Sequence, residues 1–167
     1  MSQNLTISLG LPEFRILKQH TEKDLVIVEV EKISSTERCP FCGYLTSSKH
    51  DQRIRLVRDL PVLDKNLFLK VHTHCYRCTQ CNEVFSQTFE SIKPNHHQTL
   101  RFREFVYAEC FESTIQHVSK KLKIPYTTVE RIYYTIAAEK LEKQQNQRFQ
   151  AMSEEEVTVI GIDEIAV

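Results

Sequence analysis

Four cysteines are spaced for metal chemistry. Cys39 and Cys42 form one Cys-x2-Cys pair, Cys78 and Cys81 form another, and 35 residues separate the pairs. Thiolate sulfur is a soft ligand, and four of them suit a tetrahedral Zn²⁺. A two-residue gap lets one tight turn present both sulfurs to the same ion. Gly43 follows the first pair and Asn82 the second, and both residue types tolerate the left-handed backbone that such a turn favours. With all four positions filled by protein, none is left for a catalytic water, so the zinc is expected to be structural. In so small a module, metal binding supplies folding free energy on the order of 10 kcal/mol. Cys75 complicates the assignment, because Cys75 and Cys78 are also spaced as Cys-x2-Cys, and His72 and His74 are close by. The pair Cys78 and Cys81 is preferred because Asn82 follows it as Gly43 follows Cys42. Cys75 in place of Cys78 is the alternative.

Elements must carry these two knuckles. The long gap between the pairs matches knuckles on separate β-hairpins, a zinc-ribbon-like layout. Between them, the stretch from Arg53 to His74 alternates in polarity, as in Leu67-Phe68-Leu69-Lys70-Val71-His72, and predicts strands. Val84 to Phe89 reads as a closing strand. These residues, 38–90, make a four-cysteine zinc-binding domain. Ahead of it, residues 1–37 read as a β-rich lead-in, with Asp24 to Val30 as a strand and Phe14 to Leu17 pairing with it.

From Gln98 the apolar period changes from 2 to 3.6. Phe102, Phe105, Val106 and Cys110 share one face of a first helix, which makes Cys110 a core thiol. Ser113 with Gln116 resembles a capping box opening a second helix, whose inner face is Ile115, Val118 and Leu122. Lys123-Ile124-Pro125-Tyr126 breaks the pattern. Thr127 with Glu130 resembles another capping box, opening a third helix with Val129, Ile132, Tyr133, Ile136, Ala137 and Leu141 inward and an end near Gln147. Residues 96–148 thus form a three-helix domain whose last two helices resemble a helix-turn-helix. In that arrangement Thr127, Thr128, Arg131 and Tyr134 face DNA base edges, with Thr135 behind them, and Lys120, Lys121 and Lys123 touch phosphates. A plain three-helix bundle with solvated charges is the alternative.

Composition bounds the rest. A 167-residue chain that is 41% hydrophobic and 26% charged is globular, and three glycines with five prolines exclude a linker protein. No apolar run approaches the roughly 20 residues that span a bilayer, so no membrane partner is expected. The first residues lack a signal peptide, so a cytoplasmic location with reduced thiols is expected. The net charge is zero, yet the charge is sorted: eight basic against three acidic residues over 38–82, and seven against three over 113–148. Both basic stretches hold a candidate module, which points to a polyanion such as nucleic acid. Near the end, residues 153–167 contain an apolar strand, Val157 to Val167, interrupted by Asp163-Glu164. An aspartate in such a strand is costly without a partner and is often a metal ligand or catalytic group.

Together these features resemble the ISL3 family of bacterial insertion-sequence transposases. The resemblance rests on Cys39-Pro40-Phe41-Cys42-Gly43, Arg58-Asp59-Leu60-Pro61, Arg77-Cys78-Thr79-Gln80-Cys81, the helical pair from Ile115 to Ile132, and Gly161-Ile162-Asp163-Glu164. It implies an α+β architecture: the zinc-binding domain, a helix-turn-helix that recognises the element's terminal inverted repeats, and the first strand of an RNase H-like DDE domain. In that domain three carboxylates hold two Mg²⁺ ions for attack on a phosphodiester, and Asp163 matches the first. The chain ends four residues later, so the second Asp and the Glu are missing. A catalytically incomplete transposase part, with double-stranded DNA as partner and a homo-oligomer left open, is the resulting expectation. A zinc-ribbon transcription regulator without a transposition role is the alternative.

Overall fold

The computed structural model describes residues 9–154, with side chains as far as Gln150. The chain divides into two compact units, one reaching to Phe105 and one beginning at Val106.

The first unit is built on a twisted sheet of order β1-β2-β6-β5. Strands β1 (Phe14–Thr21) and β2 (Leu25–Lys32) are antiparallel neighbours, with Phe14 opposite Lys32 and Ile16 opposite Val30. A short hairpin, β3 (Glu37–Arg38) with β4 (Leu45–Thr46), follows. The long strands β5 (Lys49–Val62) and β6 (Lys65–Arg77) make an antiparallel hairpin, and β7 (Val84–Ser86) pairs with the end of β6. β2 lies parallel to β6, with Val28 beside Leu69 and Val30 beside Val71. The lead-in strands therefore share one sheet with those of the cysteine module. The alternation in β2 and β6 is what forms the core: Val26, Val28, Val30, Val57, Leu67, Leu69 and Val71 point to one face and are buried with Phe14 and Ile92. The turn between β5 and β6 is two residues long. Leu63 and Asp64 both have positive φ there, 50° and 61°, as a primed hairpin turn requires.

Helix α1 (Leu100–Glu112) is launched from the sheet. Arg58 N–H donates to His97 O and Thr99 N–H to Arg58 O, so the segment before α1 pairs with β5. Thr99 then caps α1, its hydroxyl accepting from Phe102 N–H. Beneath the cap Asp59, fully buried, accepts from the Thr99 hydroxyl at 2.7 Å and from Arg101 Nε at 2.7 Å. Its neighbour Arg58 is also buried, with its guanidinium between the rings of Phe68 (5.5 Å) and Phe102 (5.2 Å). Burial holds the Arg58 pKa below its ordinary value. The Arg58-Asp59 dipeptide is thus a structural joint between sheet and helix.

In the second unit α2 (Ile115–Leu122) is followed by α3 (Tyr126–Glu154). Val106, Val118, Leu122, Val129, Ile132 and Ile136 are buried. A cluster of rings, Tyr107, Phe111 and Tyr133, extends this apolar set. Three local expectations are corrected here. The cap of α2 is Thr114, not Ser113: its hydroxyl accepts from His117 N–H. α3 begins at Tyr126, with Pro125 O accepting from Thr128 and Val129, so Thr127 lies inside the first turn instead of capping it. Leu141 is 57% exposed, because α3 outruns its partners and is exposed at every position from Lys140 to Gln150. No described helix is long and apolar enough to cross a membrane.

Candidate metal centre and nucleic-acid interface

The two knuckles are built alike. In the first, Cys39 N–H donates to Tyr44 O and Gly43 N–H to Cys39 O; in the second, Cys78 N–H donates to Glu83 O and Asn82 N–H to Cys78 O. Each turn closes through a left-handed residue, Gly43 at φ 75° and Asn82 at φ 61°. The first knuckle is the tip of the β3–β4 hairpin and the second joins β6 to β7. Lys32 and Glu37 form an ion pair that fastens the first hairpin to the sheet, with Lys32 Nζ also donating to Thr88 O at 2.8 Å.

These supports bring Cys39, Cys42, Cys78 and Cys81 together, all four Sγ atoms within 4.8 Å of one another. Cys39 Sγ lies 3.6 Å from Cys81 Sγ and Cys42 Sγ lies 3.5 Å from Cys78 Sγ. A tetrahedron with Zn–S bonds near 2.3 Å has sulfur–sulfur edges of about 3.8 Å, so the set fits a zinc ion held by four thiolates. Cys39 and Cys78 are buried against Tyr76 and Phe85, which form an apolar floor. Charge makes the same point. The backbone N–H of Cys81 holds the Cys78 thiol down to about 6 against the effect of burial, and the Gln80 N–H assists. Cys81 has a similar pull from the Glu83 N–H, yet burial and the neighbouring cysteines push its thiol up to about 12. Four thiols in one place cannot all ionise unless a cation balances them, and a dication does so.

Cys75 is outside this set. It lies within β6 opposite Ser86, whose hydroxyl is its nearest polar partner at 3.8 Å. His72 bonds Glu29 at 2.6 Å, and His74 faces Lys49 at 3.3 Å. Cys110, half-buried in α1, is pushed up by burial and by Glu109.

The helical pair has a turn of defined geometry. Lys123 is left-handed at φ 53°; its N–H donates to Lys120 O, and Ile124 N–H donates to Ser119 O. This is a Schellman closure, with the Ser119 hydroxyl donating in turn to Ile124 O at 2.7 Å. Pro125 then precedes α3, its carbonyl accepting from Thr128 and Val129 N–H. On α3, Thr127, Arg131 and Tyr134 are exposed, spaced i, i+4, i+7, opposite the buried Val129, Ile132 and Ile136. Thr128 and Thr135 are half-buried, and the Thr135 hydroxyl donates to Arg131 O. Lys120 and Lys123 are exposed at the turn. Lys121 is committed to Glu109 of α1 at 2.5 Å. Asp163 lies outside the described residues, as does the strand expected around it.

Sequence reasoning missed the buried Asp59–Arg101–Thr99 joint. Its signal was present: two adjacent charges inside a strand, followed by Pro61, with a cap residue at the start of the helix.

Comparison with known proteins agrees with both modules. Residues 35–81 match the zinc finger of transposases IS204/IS1001/IS1096/IS1165, and residues 87–137 match the helix-turn-helix domain of transposase family ISL3. No curated protein and no solved structure matches the chain. The first match contains three of the clustered cysteines and ends on the fourth, and the second contains the cap, the Schellman turn and the exposed stripe of α3. With a four-cysteine cluster suited to structural zinc, a DNA-binding helical pair behind it, and both matched in order, the chain belongs to the ISL3 family of transposases.

Proposed function

We propose that this chain recognises the terminal inverted repeats of its insertion element. The observation that carries the reading is the exposed stripe of Thr127, Arg131 and Tyr134 on the first turns of α3, beside the lysines of the preceding turn. The N-terminal part of a recognition helix is where side chains meet base edges in the major groove. Arg131 supplies a bidentate donor for guanine, and the Thr127 methyl suits a thymine methyl. Lys120 and Lys123 stand where phosphates flank the groove, and Lys121 joins them only by leaving Glu109. Thr128 and Thr135 serve the helix more than the DNA, being half-buried. Mobility shift of the terminal repeats against random duplex at moderate salt tests this. A clear preference for the repeats is expected, and equal affinity for both sinks the recognition reading. Asp163 we assign as the first carboxylate of the family's Mg²⁺-dependent strand-transfer chemistry. In a chain carrying the complete catalytic domain, Asp163→Asn should abolish strand transfer while repeat binding persists; retained transfer removes the assignment.

A further inference from the structure

The core face of the sheet changes character toward the zinc end. Val57, Leu69 and Val71 bury it in the middle, but further along Arg55 stands opposite Val71 and Arg53 opposite Thr73. Residues paired across strands share a face, so the apolar floor runs directly into arginine and hydroxyl side chains. A cavity of about 380 Å³ opens there. Arg53, Arg55, Thr73 and Ser86 line it together with Phe89 and Pro94. None of the described lining residues is acidic.

The polar side chains have unused capacity. Arg55 gives one N–H to His96 O at 2.6 Å, and Arg53, its side chain largely exposed, makes a 3.4 Å contact through Nε with Asp51. A guanidinium has five N–H donors, so both keep several that can turn inward. Thr73 is only 8% exposed, and its hydroxyl has no partner. A buried hydroxyl without a bond is costly, and a ligand atom that accepts from it removes the cost.

We propose that this trough binds a phosphate group. Two arginine forks and two hydroxyls match an oxyanion with several acceptor atoms. A volume at the lower end of small-molecule sites leaves room for the attached sugar against Phe89 and Pro94. The phosphate can be a diester in a nucleic-acid backbone or a free phosphate. All the residues that line the site belong to the sheet unit, and none lies on α2 or α3.

Backbone amide NMR of the zinc-loaded full chain tests it, following Thr73, Cys75 and Ser86 during titration with inorganic phosphate and, separately, with a short duplex DNA. Saturating shifts with phosphate are expected. Shifts of the same amides at far lower duplex concentration identify the backbone diester as the source, and shifts with inorganic phosphate alone identify free phosphate. Arg53→Gln with Arg55→Gln should weaken the site about tenfold or more. Thr73→Val should weaken it several-fold with zinc content and melting temperature unchanged. The proposal is overturned if neither titrant produces saturating shifts, or if both variants bind as the parent does. Because inorganic phosphate is read at sheet residues, a failure of repeat recognition by α3 does not alter this result.

Discussion

Both knuckles and the helix-turn-helix reverse the chain around a left-handed residue, but they are held by different forces. Gly43 and Asn82 close six-residue turns with the same pair of backbone hydrogen bonds, and neither turn is large enough to enclose side chains. Their cohesion comes from four sulfurs converging on one point. Lys123 closes the α2–α3 turn, and there the cohesion is apolar: Val118, Leu122, Val129, Ile132 and Ile136 are buried beneath it. A short reversal can thus be fixed either by a metal, which needs only donors at the right spacing, or by a core, which needs enough sequence to build two packed faces.

Removing a zinc ligand should produce the largest effect. Cys78→Ser is expected to lose zinc and with it the binding free energy of the site, on the order of 10 kcal/mol. Metal analysis and thermal melting report the loss. Cys75→Ser should retain one zinc per chain, since Cys75 lies outside the cluster; a chain that keeps zinc without Cys78 and loses it without Cys75 reverses the assignment. Acid acts in the same direction as Cys78→Ser. The ligands must be thiolates, so affinity falls as pH falls, and a thiol at about 6 in the folded chain is protonated as pH drops through that value. Next in size is a core truncation in the helical unit. Ile132→Ala should cost about 2–5 kcal/mol in that unit while zinc stoichiometry stays at one. A large fall in zinc content on Ile132→Ala would mean that the two modes of cohesion are coupled.

The contrast also explains what was legible in the sequence. The ligand set depends on spacing within six residues, and the turn chemistry of Gly43 and Asn82 is printed beside it. The inner face of α3 was legible for the same reason, since 3.6-residue periodicity is local. The parallel pairing of β2 with β6 was not, because alternating valines look the same whichever strand lies beside them. Capping was ambiguous for a different reason. Ser113 and Thr114 are both able caps, and only the backbone decides that the Thr114 hydroxyl meets His117 N–H. Thr127 looked like a cap until Pro125 took that place, its carbonyl accepting the first bonds of the helix. Leu141 fits the helical stripe but has nothing to pack on, since periodicity cannot tell where a partner ends. Two adjacent charges inside a strand mark Arg58 and Asp59 as unusual, but their partners Thr99 and Arg101 lie some 40 residues away, and a single sequence does not say which distant residues pair with them.

A smaller effect separates fold from recognition within the helical unit. Arg131 is exposed on α3, so Arg131→Ala should leave stability within about 0.5 kcal/mol. It should cost about 1–3 kcal/mol at one base pair of the repeat and relax preference there. Lys120→Ala should weaken repeat and random duplex alike, lowering the slope of log affinity against log salt by about one. If Arg131→Ala instead weakens all sequences equally, Arg131 is a phosphate contact and the reading face of α3 is displaced.

The smallest effect tests the turn itself. Gly43 and Asn82 suit their left-handed positions, whereas Lys123 carries a Cβ into the same region at φ 53°. That conformation costs an L-residue about 1–2 kcal/mol. Glycine removes the strain but adds freedom to the unfolded chain, returning about 0.4–1 kcal/mol. Lys123→Gly should therefore stabilise the helical unit by about 0.5–1 kcal/mol, seen as a higher denaturant midpoint with unchanged slope. Lys123 is also exposed at the turn, so the same variant removes a phosphate contact and should bind DNA more weakly at low salt. Lys123→Asn distinguishes the two contributions, since asparagine tolerates the left-handed region but carries no charge. It should match the glycine variant in lost DNA affinity and fall between lysine and glycine in stability. If Lys123→Gly destabilises the unit, the Schellman turn draws on the lysine side chain for something other than its charge. The difference between a metal-held and a core-held turn would then be smaller than these structures suggest.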